Sequence, residues 1–69
     1  MNVNKLKGKI VEKGMNIGQL ADKIYIDRST LYRKINNNSL TIKEVNLICE
    51  ALELTYKEAM SIFFNQVVA

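Results

Sequence analysis

The chain lacks several residue types on which particular chemistries depend. Its 69 residues contain no histidine, no tryptophan and no proline, and a single cysteine, Cys49. Histidine is the commonest general base and a frequent zinc ligand, and one cysteine cannot form an intramolecular disulfide. We therefore expect no enzymatic activity, no metal and no other cofactor, and we interpret Cys49 as a small hydrophobic core residue.

Long hydrophobic runs are also missing. No stretch of 18 apolar residues occurs, and the first ten residues, MNVNKLKGKI, alternate charged and apolar side chains where a signal peptide has a continuous apolar core. We expect a cytoplasmic protein without a membrane partner. A hydrophobic content of 48% with 25% charged residues is typical of a globular protein, and the length predicts one domain, residues 1–69, with no room for a small-molecule effector domain.

The charge is distributed unevenly along the chain. Residues 1–43 hold nine lysines and arginines against three acidic residues, whereas residues 44–69 hold one lysine against four glutamates. The net charge of +3 is therefore the balance of a basic first part and an acidic second part. Such an asymmetry orients a protein in the field of a polyanion, although a solvated surface with chance asymmetry is the simpler alternative.

Helical signals follow one another along the whole chain and predict an all-α domain of five short helices. Residues 4–13 place Leu6 and Ile10 on one helical face, and Gly14 suits a helix C-terminus. Capping boxes at residues 41–44 (TIKE) and 55–58 (TYKE) open a fourth and a fifth helix.

Residues 16–37, NIGQLADKIYIDRSTLYRKINN, predict two short helices joined by a tight turn. Asn16 caps a helix that runs to Ile24, Tyr25 and Ile26 form the turn, and Asp27 caps a helix over residues 28–36. The apolar residues expected to hold the two helices together are Leu20, Ala21, Ile24, Leu31 and Ile35. The outward residues of the second helix are cationic or carry hydroxyl groups, which suits entry into a DNA major groove.

The segments LADKI-YI-DRSTLYRKI, TIKEVNLICEALEL and TYKEAMSIFF together resemble the Cro/repressor helix-turn-helix family of temperate phages, the lambda-repressor-like DNA-binding domains. The resemblance covers nearly the whole chain and implies a compact five-helix domain with the helix-turn-helix at helices 2 and 3. Two positions depart from the family pattern. Tyr25 stands where the family usually has a glycine with positive φ, and Asn36-Asn37 stands where Asn-Gly is common.

The resemblance also implies which residues contact double-stranded DNA. The base contacts carried over to this sequence are Arg28, Ser29, Thr30, Tyr32 and Arg33. The contacts to the sugar-phosphate backbone are Asn16, Ile17, Lys34, Asn36, Asn38 and Lys43, with Lys9 as a further electrostatic contact. Arg28 and Arg33 are the main candidates for base reading, because a guanidinium can bond guanine O6 and N7 together. Alternatively, Arg28 is an ordinary surface residue and Tyr32 packs against the fourth helix.

A homodimer is expected from the C-terminal residues. Phe63 and Phe64 are about 100° apart on a helix, so both cannot enter one small core. We assign Phe64, with Met60, Val67 and Val68, to a dimer interface. The resulting hypothesis is a Cro-type or stand-alone phage or prophage repressor that binds a partly palindromic operator. The alternatives are the antitoxin of a toxin–antitoxin pair and a protein-interaction module with the same fold.

Overall fold

Five α-helices occupy residues 1–64, the part of the chain that the computed structural model describes. They are α1 (Val3–Glu12), α2 (Ile17–Ile24), α3 (Arg28–Asn36), α4 (Ile42–Ala51) and α5 (Tyr56–Phe63). No strand occurs between residues 1 and 64. The predicted all-α fold with five helices is therefore confirmed.

Every helix begins at a side chain that accepts a hydrogen bond from a backbone N–H of its first turn. Asn16, Asp27, Thr41 and Thr55 cap α2 to α5, as the sequence predicts, and the boxes with Gln19, Glu44 and Glu58 are closed from both sides. Asn2 caps α1 by accepting from the N–H of Lys5, and α1 therefore begins and ends one residue earlier than predicted. Each cap contributes about 1 kcal/mol to helix stability.

All five helices contribute to one hydrophobic core. Its buried members are Leu6, Ile10, Leu20, Ala21, Ile24, Leu31, Ile35, Val45, Ile48, Leu52, Ile62 and Phe63. Cys49 is partly buried against this core, and its burial raises the pKa of the thiol, which agrees with its interpretation as a small hydrophobic residue. The α2 and α3 residues of the core are those that the sequence assigned to the contact between the two helices.

The first four helices end in the same way. After each helix comes one residue with a left-handed backbone. In order from α1 to α4, these residues are Gly14 (φ 78°), Tyr25 (φ 61°), Asn38 (φ 55°) and Glu53 (φ 52°). In each case the next N–H donates to the carbonyl five residues earlier: Met15 to Ile10, Ile26 to Ala21, Ser39 to Lys34 and Leu54 to Cys49, over 2.9–3.0 Å. This is the Schellman arrangement, which satisfies carbonyl groups that the helix leaves without a partner.

The backbone conformations at these helix ends test the two departures from the family pattern, at Tyr25 and at Asn36-Asn37. Tyr25 (φ 61°, ψ 43°) adopts the left-handed conformation that the resemblance associates with glycine. Asn37 does not, since its φ is −91°, and the left-handed residue after α3 is Asn38. The expectation that Asn36-Asn37 replaces the Asn-Gly turn is therefore wrong by one residue. The α3 helical turn extends through Asn37, whose N–H donates to the carbonyl of Arg33.

Candidate nucleic-acid interface

The helix-turn-helix consists of α2, the turn at residues 25–27, and α3. Leu20, Ala21, Leu31 and Ile35 are fully shielded from solvent where the two helices pack together, and Ile24 is nearly so. Ile26, the apolar residue of the turn, is packed against the same core. Because one side of α3 is buried in this packing, the orientation of α3 relative to α2 is fixed. The opposite side of α3 remains exposed to solvent.

The open side of α3 carries most of the predicted base-reading residues. Arg28, Ser29, Tyr32 and Arg33 are all exposed, and Asn36 continues the same face one turn further along. Thr30 is half-buried, and its N–H is held by the Asp27 cap. The residues proposed to read bases are thus brought together on one helix face, with Thr30 at its margin.

Arg28 lies at the leading end of α3 and has a defined partner. Its Nη2 donates to Asp22 Oδ2 over 2.7 Å, and the two side chains remain 67% and 61% exposed. The bond from the guanidinium holds the pKa of the Asp22 carboxyl below its ordinary value. The Cδ, Nε and Cζ atoms of Arg28 lie against Gly18 of α2. Arg28 is therefore at the surface but oriented by α2.

Arg33 and Tyr32 have different surroundings. Within residues 1–64, the Arg33 guanidinium takes part in no ion pair, and the side chain is exposed. Tyr32 is 55% exposed, and Lys7 Nζ lies 5.8 Å from the centroid of its ring. This is a cation–π contact with α1. It also brings Lys7, which was not among the predicted contacts, beside the open face of α3.

The predicted phosphate contact at α2 has suitable free donors. The Asn16 side-chain oxygen accepts from the N–H of Gln19 over 2.7 Å, which leaves the amide nitrogen of the side chain available. The N–H groups of Ile17 and Gly18 fall in the first helical turn and have no carbonyl partner within the helix. Ile17 itself is partly buried against the core, so it can contribute its backbone and not its side chain.

The lysines predicted to contact DNA differ in availability. Lys34 donates to Glu44 of α4 over 2.7 Å, is only 26% exposed, and lowers the pKa of that carboxyl. Lys9 is 16% exposed and bonded to both Glu12 and Glu58, which joins α1 to α5. The expected DNA contacts of these two lysines are not supported by their positions, because each ammonium group already binds a carboxylate and is mostly covered.

Lys43 is placed differently from these two. It is exposed in the first turn of α4, which follows the exposed Asn36 at the end of α3 and the exposed Asn38 in the loop. Among residues 1–64 it has no ion-pair partner. The exposed Asn36, Asn38 and Lys43 therefore all lie on the segment that leads from the C-terminal end of α3 into α4.

The C-terminal prediction can be followed as far as residue 64. Phe63 is buried at 8% exposure, whereas Phe64 is 46% and Met60 is 37% exposed, so the two phenylalanines do separate as expected. Val67 and Val68 lie outside the described residues. Tyr56, which the sequence reading did not single out, is 80% exposed four residues before Met60. Tyr56, Met60 and Phe64 recur at intervals of four, and we call them the α5 stripe.

The helix packing and the exposed face of α3 define a helix-turn-helix domain. The model of the Cro/C1-type HTH DNA-binding domain matches residues 5–64, and the chain belongs to this family. It is a family of DNA-binding regulators that are generally not enzymes. The comparisons found no curated protein and no solved structure that matches the chain. No helix among residues 1–64 is long and apolar enough to cross a bilayer.

Proposed function

We propose that this DNA-binding regulator is a sequence-specific repressor of the Cro or stand-alone type, from a phage or prophage, that binds a partly palindromic operator as a homodimer in the cytoplasm. The observation that carries the proposal is the open face of α3, where Arg28, Ser29, Tyr32 and Arg33 are exposed on a helix whose other side is fully packed. Repression follows if the bound protein occupies the site that polymerase needs.

In this proposal the base contacts and the backbone contacts are made by separate groups. Arg28 and Arg33 read base edges, with Ser29, Thr30 and Tyr32 beside them. The N-terminus of α2 binds one phosphate through Asn16 and the N–H of Ile17, where the helix dipole favours an anion. Lys43 with Asn36 and Asn38 binds a second phosphate at the C-terminal end of α3.

The variants that test this assignment remove one cation each. We expect Arg28→Ala and Arg33→Ala to weaken specific binding by about 1–3 kcal/mol and to relax the preference at one base position. Lys43→Ala should weaken binding to all sequences alike and lower the salt slope by about one unit. Lys57→Ala, which removes the same charge from the exposed face of α5, is the control. The control should leave binding to both kinds of DNA unchanged. The assignment is refuted if Arg28→Ala, Arg33→Ala and Lys43→Ala all weaken specific and non-specific binding equally.

The homodimer follows from the size of the reading helix. Nine residues at 1.5 Å each make α3 about 13 Å long, which spans about four base pairs at 3.4 Å. A site of four base pairs recurs about every 250 base pairs, too often for specificity. Two copies related by a two-fold axis read two half-sites about 34 Å apart.

The α5 stripe is the surface that we assign to dimerisation. It offers one tyrosine, one methionine and one phenylalanine, residue types that are enriched at protein interfaces. Sedimentation of the free protein should show a concentration-dependent dimer. Phe64→Ala should raise the dissociation constant of this dimer about tenfold or more. Val11→Ala, at an apolar residue of α1 that is 72% exposed, should leave association unchanged.

The dimer is rejected if the free protein sediments as a monomer at all concentrations and sedimentation of its complex with DNA shows one copy per site. The exposed stripe would then favour the second candidate function, in which it binds another protein, such as the toxin of a toxin–antitoxin pair. Selection of bound sequences from a random DNA pool separates these cases. Recovery of an inverted repeat supports the dimeric repressor, whereas recovery of no motif contradicts sequence-specific binding.

A further inference from the structure

Arg28 is held by two positions of the preceding helix. Gly18 and Asp22 are four residues apart on α2 and therefore lie on one face of it. Asp22 Oδ2 accepts from Arg28 Nη2 over 2.7 Å. A Cβ built onto Gly18 would lie 3.2 Å from both Cδ and Nε of Arg28 and 3.3 Å from its Cζ, closer than ordinary van der Waals contact. The Arg28 side chain from Cδ to Cζ thus occupies the space that the missing side chain of Gly18 leaves.

We propose that Asp22 is a positioning residue for DNA recognition: it holds the Arg28 guanidinium, over the space left by Gly18, in the orientation that reads a base. In this arrangement α2 helps to set the sequence preference, although Asp22 itself contacts no base. The inference rests on the proposed role of Arg28 in base reading, and it adds a specificity determinant on the helix that otherwise binds phosphate.

The ion pair is poorly suited to a purely stabilising role. Both side chains are more than 60% exposed, and ion pairs in such positions contribute little to the stability of a fold. A free arginine side chain, in contrast, loses conformational freedom when a ligand fixes it. A carboxylate that restrains the arginine before DNA arrives removes part of that cost, because the group is already preorganised.

The bond to Asp22 leaves Arg28 able to make a two-donor contact. A guanidinium has five N–H donors, and the bond from Nη2 uses one of them. The remaining four are enough for simultaneous bonds to O6 and N7 of a guanine. Asp22 also places a negative charge on α2, the helix whose N-terminus is a proposed phosphate contact. Its removal should therefore raise non-specific affinity while it relaxes the base preference, and these opposite signs distinguish positioning from a simple charge effect.

The experiment compares sequences selected from a random DNA pool by the wild-type protein and by variants. Arg28→Ala should abolish the preference at one position of the motif. Asp22→Ala and Gly18→Ala should relax the preference at that same position by about three- to tenfold and leave the other positions unchanged. Asp22→Asn should recover part of the preference, because its amide oxygen still accepts a bond. Alanine is a good helix former at both α2 positions, and circular dichroism checks that each variant is folded.

Glu50→Ala is the matched control. It removes the same charge from an exposed position of α4, and within residues 1–64 Glu50 takes part in no ion pair, so it should leave the motif unchanged. Gly18→Ala is informative in its own right, because it displaces the Arg28 side chain without a change of charge.

The possible failures are distinguishable. If the wild-type protein selects no motif, the proposed function fails. If Arg28→Ala relaxes one position but Asp22→Ala and Gly18→Ala do not, only the positioning role fails. If Asp22→Ala tightens specific binding and keeps the preference intact, then Asp22 competes with DNA for Arg28, and the positioning role is overturned in favour of a restraining one.

Discussion

Replacement of Tyr25 by glycine should stabilise the protein. Tyr25 has φ 61° and ψ 43°, and this left-handed conformation costs a residue with a Cβ about 1–2 kcal/mol. The side chain is 94% exposed, so its removal sacrifices almost no buried surface. Glycine removes the steric cost but adds about 0.4–1 kcal/mol of chain entropy to the unfolded state. With both terms near the middle of these ranges, the net gain in the free energy of unfolding is about 0.5–1 kcal/mol.

Thermal and urea unfolding, followed by circular dichroism, measure this gain. For a domain of this size, about 1 kcal/mol corresponds to a rise in Tm of about 4–8 °C, so Tyr25→Gly should raise Tm by about 2–8 °C. The matched control is Tyr25→Ala, which removes the aromatic ring but keeps the Cβ and the strain, and should change Tm little. Glu53→Gly repeats the test at a second left-handed residue (φ 52°). The reasoning is refuted if glycine at residue 25 is no more stable than alanine.

Two further predictions concern stability. Lys9 and the N–H of Thr55 both donate to Glu58 and lower its pKa from 4.5 to about 2, so the stabilisation from this carboxylate is complete above pH 4.5 and is lost as the pH falls towards 2. The urea midpoint of the wild-type protein should fall over that range more steeply than that of Glu58→Gln, and equal slopes would contradict this role of Glu58. Leu31→Ala empties a fully buried position and should cost about 2–5 kcal/mol. The control Ile42→Ala, at a residue that is 67% exposed, should change the midpoint only slightly, and similar effects of the two would contradict the core assignment.

Much of the fold can be predicted from the sequence because its signals are local. Each of Asn16, Asp27, Thr41 and Thr55 caps the helix expected from it, since a cap depends on only three or four consecutive residues. The helix ends are harder. Glu53 has a left-handed conformation, but glutamate, unlike glycine or asparagine, does not predict one. This conformation results from the bond between Leu54 N–H and the Cys49 carbonyl, and from the packing of Leu54 against the core.

The candidate site also has features that the sequence predicts and features that it does not. The exposed face of α3 follows from helical periodicity, because Leu31 and Ile35 on one side determine which residues lie on the other. The availability of each cation does not follow from it. Lys34 and Arg33 are neighbours in the sequence, yet only Lys34 reaches Glu44 on another helix. Contacts between helices, such as that of Lys7 with Tyr32, depend on packing distances that periodicity does not contain.

The exposure of the three tyrosines has a practical consequence. The chain has no tryptophan, and its tyrosines lie at the turn (Tyr25), on the open face of α3 (Tyr32) and on the α5 stripe (Tyr56). Each of them is more than half exposed. In variants that keep one tyrosine and carry phenylalanine at the other two positions, the tyrosine fluorescence would therefore come from a single known position. A variant that keeps Tyr32 would then report operator occupancy, and a second variant that keeps Tyr56 would report subunit pairing, without an attached dye.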